Sequence, residues 1–431
     1  MEAMHAVKPE SKREPTAYRW HVLGLLIVVN MFSVADRLVF SILIEDIKIE
    51  FGLTDFQLGL LGGAAFSIVY VIAGFPAARL ADRSVRKNIV AAAIGFWSAM
   101  TALCGLAIGF WTLFLARVGV GVGEGCSGPA SHSLIADYFQ RSELAKAMGF
   151  LTIGATLGTA GGLIAGGQLA EVFGWRYAFV LMGLPGLLIG LVVYLSIREP
   201  TRGRFASKGA TIEQQPLGET VKQLIGNRVF MGLALGAAVQ ILIGYALAFW
   251  MAAVMLRQFD ISTGNVGLYL GLAFLLGGIP GPILGGYLTQ ALTKRSEKWR
   301  ALVPGLVSLI CLLPLAASLT SSSFWPFLAW FAVAYGVFVS GQAGILSGIQ
   351  AAVEPSQRGF AVAIALFFNN LVGQALGLAV IGGVSDWLSP TYGAYSLSVA
   401  VFGVCVVSGC AAMLSFGWTA LQIRTDASIT D

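Results

Sequence analysis

Charge is scarce in this chain, and histidine scarcer still. Of 431 residues only 11% are Asp, Glu, Lys or Arg, and three are His. A soluble domain carries roughly 25% charged residues. With 57% hydrophobic residues and a mean hydropathy of +0.79, the soluble globular class is excluded. The five cysteines, Cys104, Cys126, Cys311, Cys405 and Cys410, fall inside apolar runs and form no CxxC pair, so neither a metal site nor a disulfide framework is suggested. His5, His21 and His132 offer no metal-ligand spacing. No GxxxxGK[ST] loop supports an ATP-driven pump, and no cofactor is expected. The Gly123–Gly128 stretch satisfies GxGxxG, but it lies mid-span with no preceding strand, which argues against dinucleotide binding. The first 18 residues are polar, and the first apolar run is too long to be a cleavable signal.

What the chain has instead is apolar runs of roughly 20 residues, each long enough to cross a bilayer. Twelve are read: 19–44, 56–79, 88–110, 112–137, 145–170, 176–197, 228–257, 265–290, 301–319, 324–352, 359–385 and 392–423. The fold class is therefore an all-α membrane protein of twelve helices in two six-helix lobes. Its expected divisions are an N-terminal segment 1–18, a first lobe 19–197, a linker 198–227, a second lobe 228–423 and a tail 424–431. The end of the linker, from Pro216 to Asn227, suits an amphipathic surface helix. Of the 27 Lys and Arg, only Lys48, Arg176 and Arg257 fall on the side opposite the termini, and Arg37 and Arg117 stand within spans. By the positive-inside rule both termini are expected in the cytoplasm. The net charge of +5 then reflects topology, and no nucleic-acid partner is expected. Short outward loops and the lack of an N-x-S/T sequon fit a bacterial inner membrane.

The two lobes echo each other. Gly74–Lys87 follows the second run and Gly278–Arg295 the eighth, each a glycine-proline stretch ending in a basic turn. Tyr138–Ala147 after the fourth run is answered by Val353–Ala363 after the tenth. Such repetition is the mark of a rocking transporter whose site lies between the repeats near the midplane.

Four charged residues stand well inside the spans, all in the first half: Asp36, Arg37, Arg117 and Glu124. A charge in hydrocarbon costs roughly 2.5–3.5 kcal/mol even on the gentlest scale, so each is a functional candidate. At the helical rise, Arg117 lies about 8 Å, Asp36 about 12 Å and Glu124 about 18 Å below the outer surface. Arg117 and Glu124 are two turns apart and share a face. Arg37 points about 100° away from Asp36 and is open to a gating or an anchoring role.

Several stretches resemble known families. Ala78–Lys87, ARLADRSVRK, is similar to the loop signature G-x-L-A-D-R-x-G-R-R/K of the major facilitator superfamily, with Ala78 and Val85 in place of its two glycines. Asn30–Arg37, NMFSVADR, Phe96–Ser98, FWS, and Arg117–Gly125, RVGVGVGEG, resemble the Spinster-like transporters within it. Those carry amphipathic lipids such as lysophospholipids or sphingosine phosphate. The resemblance implies gating by Asp82, Arg83, Arg86 and Lys87, with Asp82 facing the segment that begins at Arg358 and Gly359. It also implies proton coupling through Asp36, Arg117 and Glu124. The expectation is that Asp36 and Glu124 exchange protons while Arg117 sets which is ionised, because burial raises a carboxyl group's proton affinity and a nearby arginine lowers it. The alternative is a permanent ion pair locking spans 1 and 4. Gly149, Gly158, Gly162, Gly166 and Gly167 match the helix-5 spacing of drug–proton antiporters, with Leu163 where proline is expected. Independently, Gly154, Gly158, Gly162 and Gly166 form a small-xxx-small stripe for close helix contact.

Candidate cavity residues of the second half are Gln240, Tyr245, Gln342, Asn369, Asn370 and Gln374, the last two one helical turn apart. With no charge and many apolar neighbours they suit a wall for an acyl chain, and a headgroup would sit near Arg117 and Glu124. The expected function is a proton-coupled transporter of an amphipathic lipid, a monomer whose partners are membrane lipids, protons and its small substrate. An organic-anion or multidrug exchanger of the same fold is the rival. An intramembrane lipid enzyme would have only Ser33, Cys126, Ser127, Ser131, Ser133 and an isolated His132 to work with. A non-transporting sensor is a remote reading.

Overall fold

The computed structural model describes residues 15–205, 217–354 and 356–423. Backbone crossing hydrocarbon must satisfy its own N–H and C=O groups, and the apolar runs do so as twelve helical spans. Span 1 is Thr16–Ile42. Span 2 is Asp55–Gly62 and Ala64–Arg83, interrupted at Gly63. Spans 3 to 6 are Arg86–Cys104, Phe110–Tyr138, Arg141–Phe173 and Trp175–Ser196. Span 7 is Arg228–Gln258, and span 8 is Thr263–Gly278 and Pro280–Thr293. Span 9 is Trp299–Ile310 and Leu312–Leu319, and span 10 is Phe324–Ser340 and Gln342–Ala351. Span 11 joins Arg358–Phe368 to Gly377–Tyr392 through a π-helical segment, Asn369–Leu376, and span 12 is Ser396–Gln422. Spans alternate between the face where the described chain starts and ends, here the termini face, and the opposite far face.

Three local features depart from or add to the apolar runs. A short helix, Ile44–Phe51, follows span 1 where a loop is expected, and it stops at Gly52 in the left-handed region (φ 63°). Span 11 continues to Tyr392, past the expected end near residue 385, and reverses at Gly393 (φ 52°). Leu217–Gly226 forms the helix expected at the end of the linker. Residues 1–14, 206–216, 355 and 424–431 lie outside the described residues. They hold most of the expected N-terminal segment with His5, the middle of the linker with Pro216, and the tail.

The glycine stripe of span 5 rests on span 1. An added Cβ would stand 2.4 Å from the Met31 carbonyl oxygen at Gly158 and 2.5 Å from that of Ala35 at Gly162, while Gly154 and Gly166 meet Ile27 and Val39. Gly121 and Gly125 of span 4 lie as closely on the Phe66 and Tyr70 carbonyls of span 2. These contacts set the rotation of spans 1, 2 and 4 and so aim the charges they carry.

The halves meet at the far face. Arg257, at the end of span 7, reaches Glu45 at 2.6 Å and Asp55 at 2.7 Å, and Lys48 joins Asp55 at 2.5 Å. Asp386 of span 11 accepts the first backbone N–H groups of span 2, Asp55 N at 2.9 Å and Phe56 N at 2.8 Å, placing a carboxylate on a helix N-terminus where its charge is favoured. Phe40 stacks on Phe249 with ring centroids 6.0 Å apart, and Ser41 Oγ donates to the Ala248 carbonyl at 3.2 Å. Among bonds between described residues, those joining first half to second all lie between the cavity and the far face or in the cavity wall. These bonds hold the molecule closed at the far face.

Candidate functional site

Between the halves lies a cavity of about 370 Å³. Its first-half wall includes Arg37, Ser41 and Arg117; its second-half wall includes Tyr245, Phe249, Phe338, Gln342 and Gln374. Of the expected second-half residues, Tyr245, Gln342 and Gln374 therefore face it. Gln240 does not: it is fully buried and its Nε2 donates to the Pro304 carbonyl at 3.0 Å, tying span 7 to span 9. Asn370 does not line it either, since its Nδ2 donates to Leu366 O one turn back at 2.8 Å. The one-turn relation expected of Asn370 and Gln374 fails because this stretch is π-helical, with i→i+5 bonding that breaks the α register. Gln374 Nε2 reaches Gly62 O at 3.5 Å, and its Oε1, like the amide oxygen of Asn369, has no partner among the described residues.

The four intramembrane charges pair differently from the expected scheme. Glu124, its side chain wholly buried, takes Arg37 Nη2 at 2.6 Å, Arg37 Nε at 2.8 Å and Ser33 Oγ at 2.6 Å, all on Oε2. Ser33 and Arg37 are one turn apart on span 1 and present the same face to span 4. The guanidinium of Arg37 also lies over the rings of Phe66, at 4.6 Å, and Tyr70, at 5.0 Å. The arginine bound to Glu124 is thus Arg37, not Arg117. Asp36, about 100° around the helix, turns to span 3, where Thr101 Oγ1 donates to its Oδ2 at 3.1 Å.

Arg117 makes no ion pair among the described residues. It is 2% exposed, with its guanidinium 4.6 Å from the Phe40 ring centroid and 5.4 Å from that of Phe66. Its Nε reaches the Leu61 carbonyl at 3.4 Å, in the last turn before the break at Gly63, where helical carbonyls lose their partners. Two aromatic faces and one carbonyl compensate a buried cation only in part. The cavity therefore holds one arginine spent on a carboxylate and one that is not.

A model of the family described as Major Facilitator Superfamily matches residues 25–378. The chain belongs to that superfamily. It is a transporter and not an enzyme. This superfamily member is 30% identical over 382 residues to an MFS-type efflux pump of Mycolicibacterium smegmatis, covering 89% of this chain and 88% of the pump. It is 26% identical to the sphingosine-1-phosphate transporter SPNS2 of Xenopus tropicalis over 88% of this chain and 77% of that one. Among solved structures, a bacterial homolog of the human lysosomal transporter Spinster, inward-facing and unoccupied, superposes with a TM-score of 0.87 at 26% identity, over 96% of this chain and all of that one. The transporter is thus related to the Spinster family.

The expected gating residues of this transporter are spread out in the structure. Asp82 and Arg83 are exposed. Arg358, at the start of span 11, gives its Nε to Gln350 O at 3.0 Å, so the expected contact between Asp82 and the Arg358 segment is not made here. Arg86 is 2% exposed and binds Asp137 at 2.5 Å and Glu199 at 2.7 Å, and Lys87 Nζ donates to Tyr194 O at 3.0 Å. Both fasten the first half to itself and to the start of the linker and do not cross to the second half. Sequence reasoning passed over the far-face cluster of Arg257, Glu45, Asp55, Lys48 and Asp386. A signal was available: the three exceptional basic residues on that side, Lys48, Arg176 and Arg257, are all ion-paired.

Proposed function

We propose that the protein is a proton-coupled transporter of an amphipathic anion with a lipid-like tail, working by alternating access in a bacterial inner membrane with both termini in the cytoplasm. The observation that carries this reading is the uncompensated Arg117 guanidinium on the wall of a cavity otherwise dominated by Ile241, Phe249, Phe338 and Leu378. A phosphate or carboxylate headgroup there would supply the charge-assisted bonds that the chain withholds, and an acyl chain would lie on the second half. Asp36 and Glu124 are the proton carriers in this reading. Protonation of Glu124 releases Arg37, and the freed guanidinium becomes a second anchor for the headgroup, so proton and substrate occupancy are linked. Of the two roles expected for Arg117, tuning the carboxylates and holding the headgroup, this reading keeps the second.

The test is uptake into proteoliposomes with and without an imposed pH gradient, offering lysophospholipids, sphingoid-base phosphates and tail-less organic anions. Gradient-driven lipid flux should vanish in Asp36→Asn and Glu124→Gln, and Arg117→Gln should raise the half-saturating lipid concentration by about tenfold or more, as for one lost charge-assisted bond of 1.5–3 kcal/mol. Flux of tail-less anions with indifference to lipids would overturn the proposal. The similarity to an efflux pump supports a second reading, export of drug-like amphiphiles from the same cavity, and the same assay with dye substrates separates the two.

A further inference from the structure

We propose that a second, separate pocket at the termini face of the second half binds a phosphate group, carried either by an anionic lipid or by a soluble phosphate monoester. The pocket measures about 660 Å³ and shares no lining residue with the central cavity. It lies among the termini-face ends of spans 8, 9, 10 and 11, and three cations line it: Lys294, Arg300 and Arg358. The single carboxylate in its lining, Glu297, is taken by Arg300 at 2.9 Å. Among the described residues Lys294 makes no ion pair, and Arg358 is bound only through Nε to a backbone carbonyl. The lining thus carries two positive charges beyond its one carboxylate pair.

The hydroxyl groups point to the same ligand class. A threonine within a helix commonly bonds the carbonyl four residues back, as Thr152, Thr159, Thr320 and Thr419 do here. Thr289 and Thr293, on the pocket wall, do not, and their Oγ1 atoms are buried without a partner among the described residues. Thr289 is only 5% exposed. A buried hydroxyl left unpaired is unfavourable; a rotamer turn at either threonine brings its hydroxyl to the lumen, where a phosphate oxygen would accept from it. Cations, spare hydroxyl donors and room for a headgroup together match the basic pockets between spans that bind phospholipid headgroups on the cytoplasmic side. The inference does not depend on the nature of the transported substrate.

The experiment uses the full chain purified in detergent, with two arms. In the first, native mass spectrometry compares retention of phosphatidylglycerol and phosphatidylcholine; in the second, glycerol 3-phosphate is titrated and the melting temperature followed. At about 1 kcal/mol per basic residue near an anionic group, the double variant Lys294→Gln/Arg358→Gln should bind about 30-fold more weakly. Thr289→Val, which keeps every charge, should bind about fivefold more weakly. Variant-sensitive retention of phosphatidylglycerol identifies a lipid headgroup, and variant-sensitive stabilisation by glycerol 3-phosphate identifies a soluble ester. Binding that is absent, or equal in the wild type and Thr289→Val, overturns the proposal.

Discussion

Replacing Arg257 by leucine should tip the molecule toward the state open at the far face. Arg257 belongs to the second half and both its partners to the first, so its bonds exist only while the far face is closed. Its side chain is 12% exposed, that of Asp55 3% and that of Glu45 15%, and it donates through three nitrogens to the two carboxylates. Removing one member of a buried pair typically costs about 3–5 kcal/mol because the other is left uncompensated. Here Asp55 keeps Lys48 and the Ser385 hydroxyl, and Glu45 has some contact with water, so a smaller cost, about 2–3 kcal/mol, is expected. That shifts the balance of the two states by about 30- to 150-fold. Nitroxide labels at Ile49 and Tyr392, exposed far-face positions on opposite halves, on a background lacking the five native cysteines, should report a longer distance in Arg257→Leu by pulsed electron resonance. Arg257→Lys, with a point charge in place of the fork, should fall between. A distance distribution unchanged in Arg257→Leu would refute the view that this cluster holds the far face shut.

Three further outcomes are expected. Gly162→Ala should destabilise by about 1–3 kcal/mol, as overpacking against a backbone carbonyl does, whereas neighbouring Gly161→Ala, with nothing within 4 Å of an added Cβ, should melt like the wild type in the same detergent. Arg86→Lys cannot fork to Asp137 and Glu199 together and should cost about 1.5–3 kcal/mol, read from denaturant titration, with no change in the far-face label distances. Glu50 accepts bonds from Arg176 Nη2 and Trp175 Nε1, both at 2.6 Å, which hold its carboxyl group below the usual glutamate range. Its contribution is present above that range and lost as pH falls through the lowered value. Glu50→Gln should therefore melt below the wild type at neutral pH and converge with it in acid.

Much of this protein is legible in its sequence alone. An apolar run of about 20 residues is a local property of the chain, and the transfer energy that seats it in a membrane needs no neighbour; the twelve runs accordingly became twelve spans. The glycines of span 5 were also readable, because a four-residue stripe marks a contact face whatever it touches. The partner of that stripe, Ile27 to Val39 of span 1, was not readable. Nor was the π-helical stretch at Asn369–Leu376, which undid a spacing argument built on α geometry.

The four intramembrane charges divide the two kinds of knowledge most clearly. That Asp36, Arg37, Arg117 and Glu124 are exceptional follows from composition and span length alone, because an ionised group in hydrocarbon is costly wherever it points. Which arginine meets which carboxylate depends on how each helix is rotated about its axis, and that is settled by glycine-to-carbonyl contacts between spans far apart in sequence. Those contacts turn Arg37 to Glu124 and Asp36 to Thr101, and they leave Arg117 facing the cavity without a carboxylate.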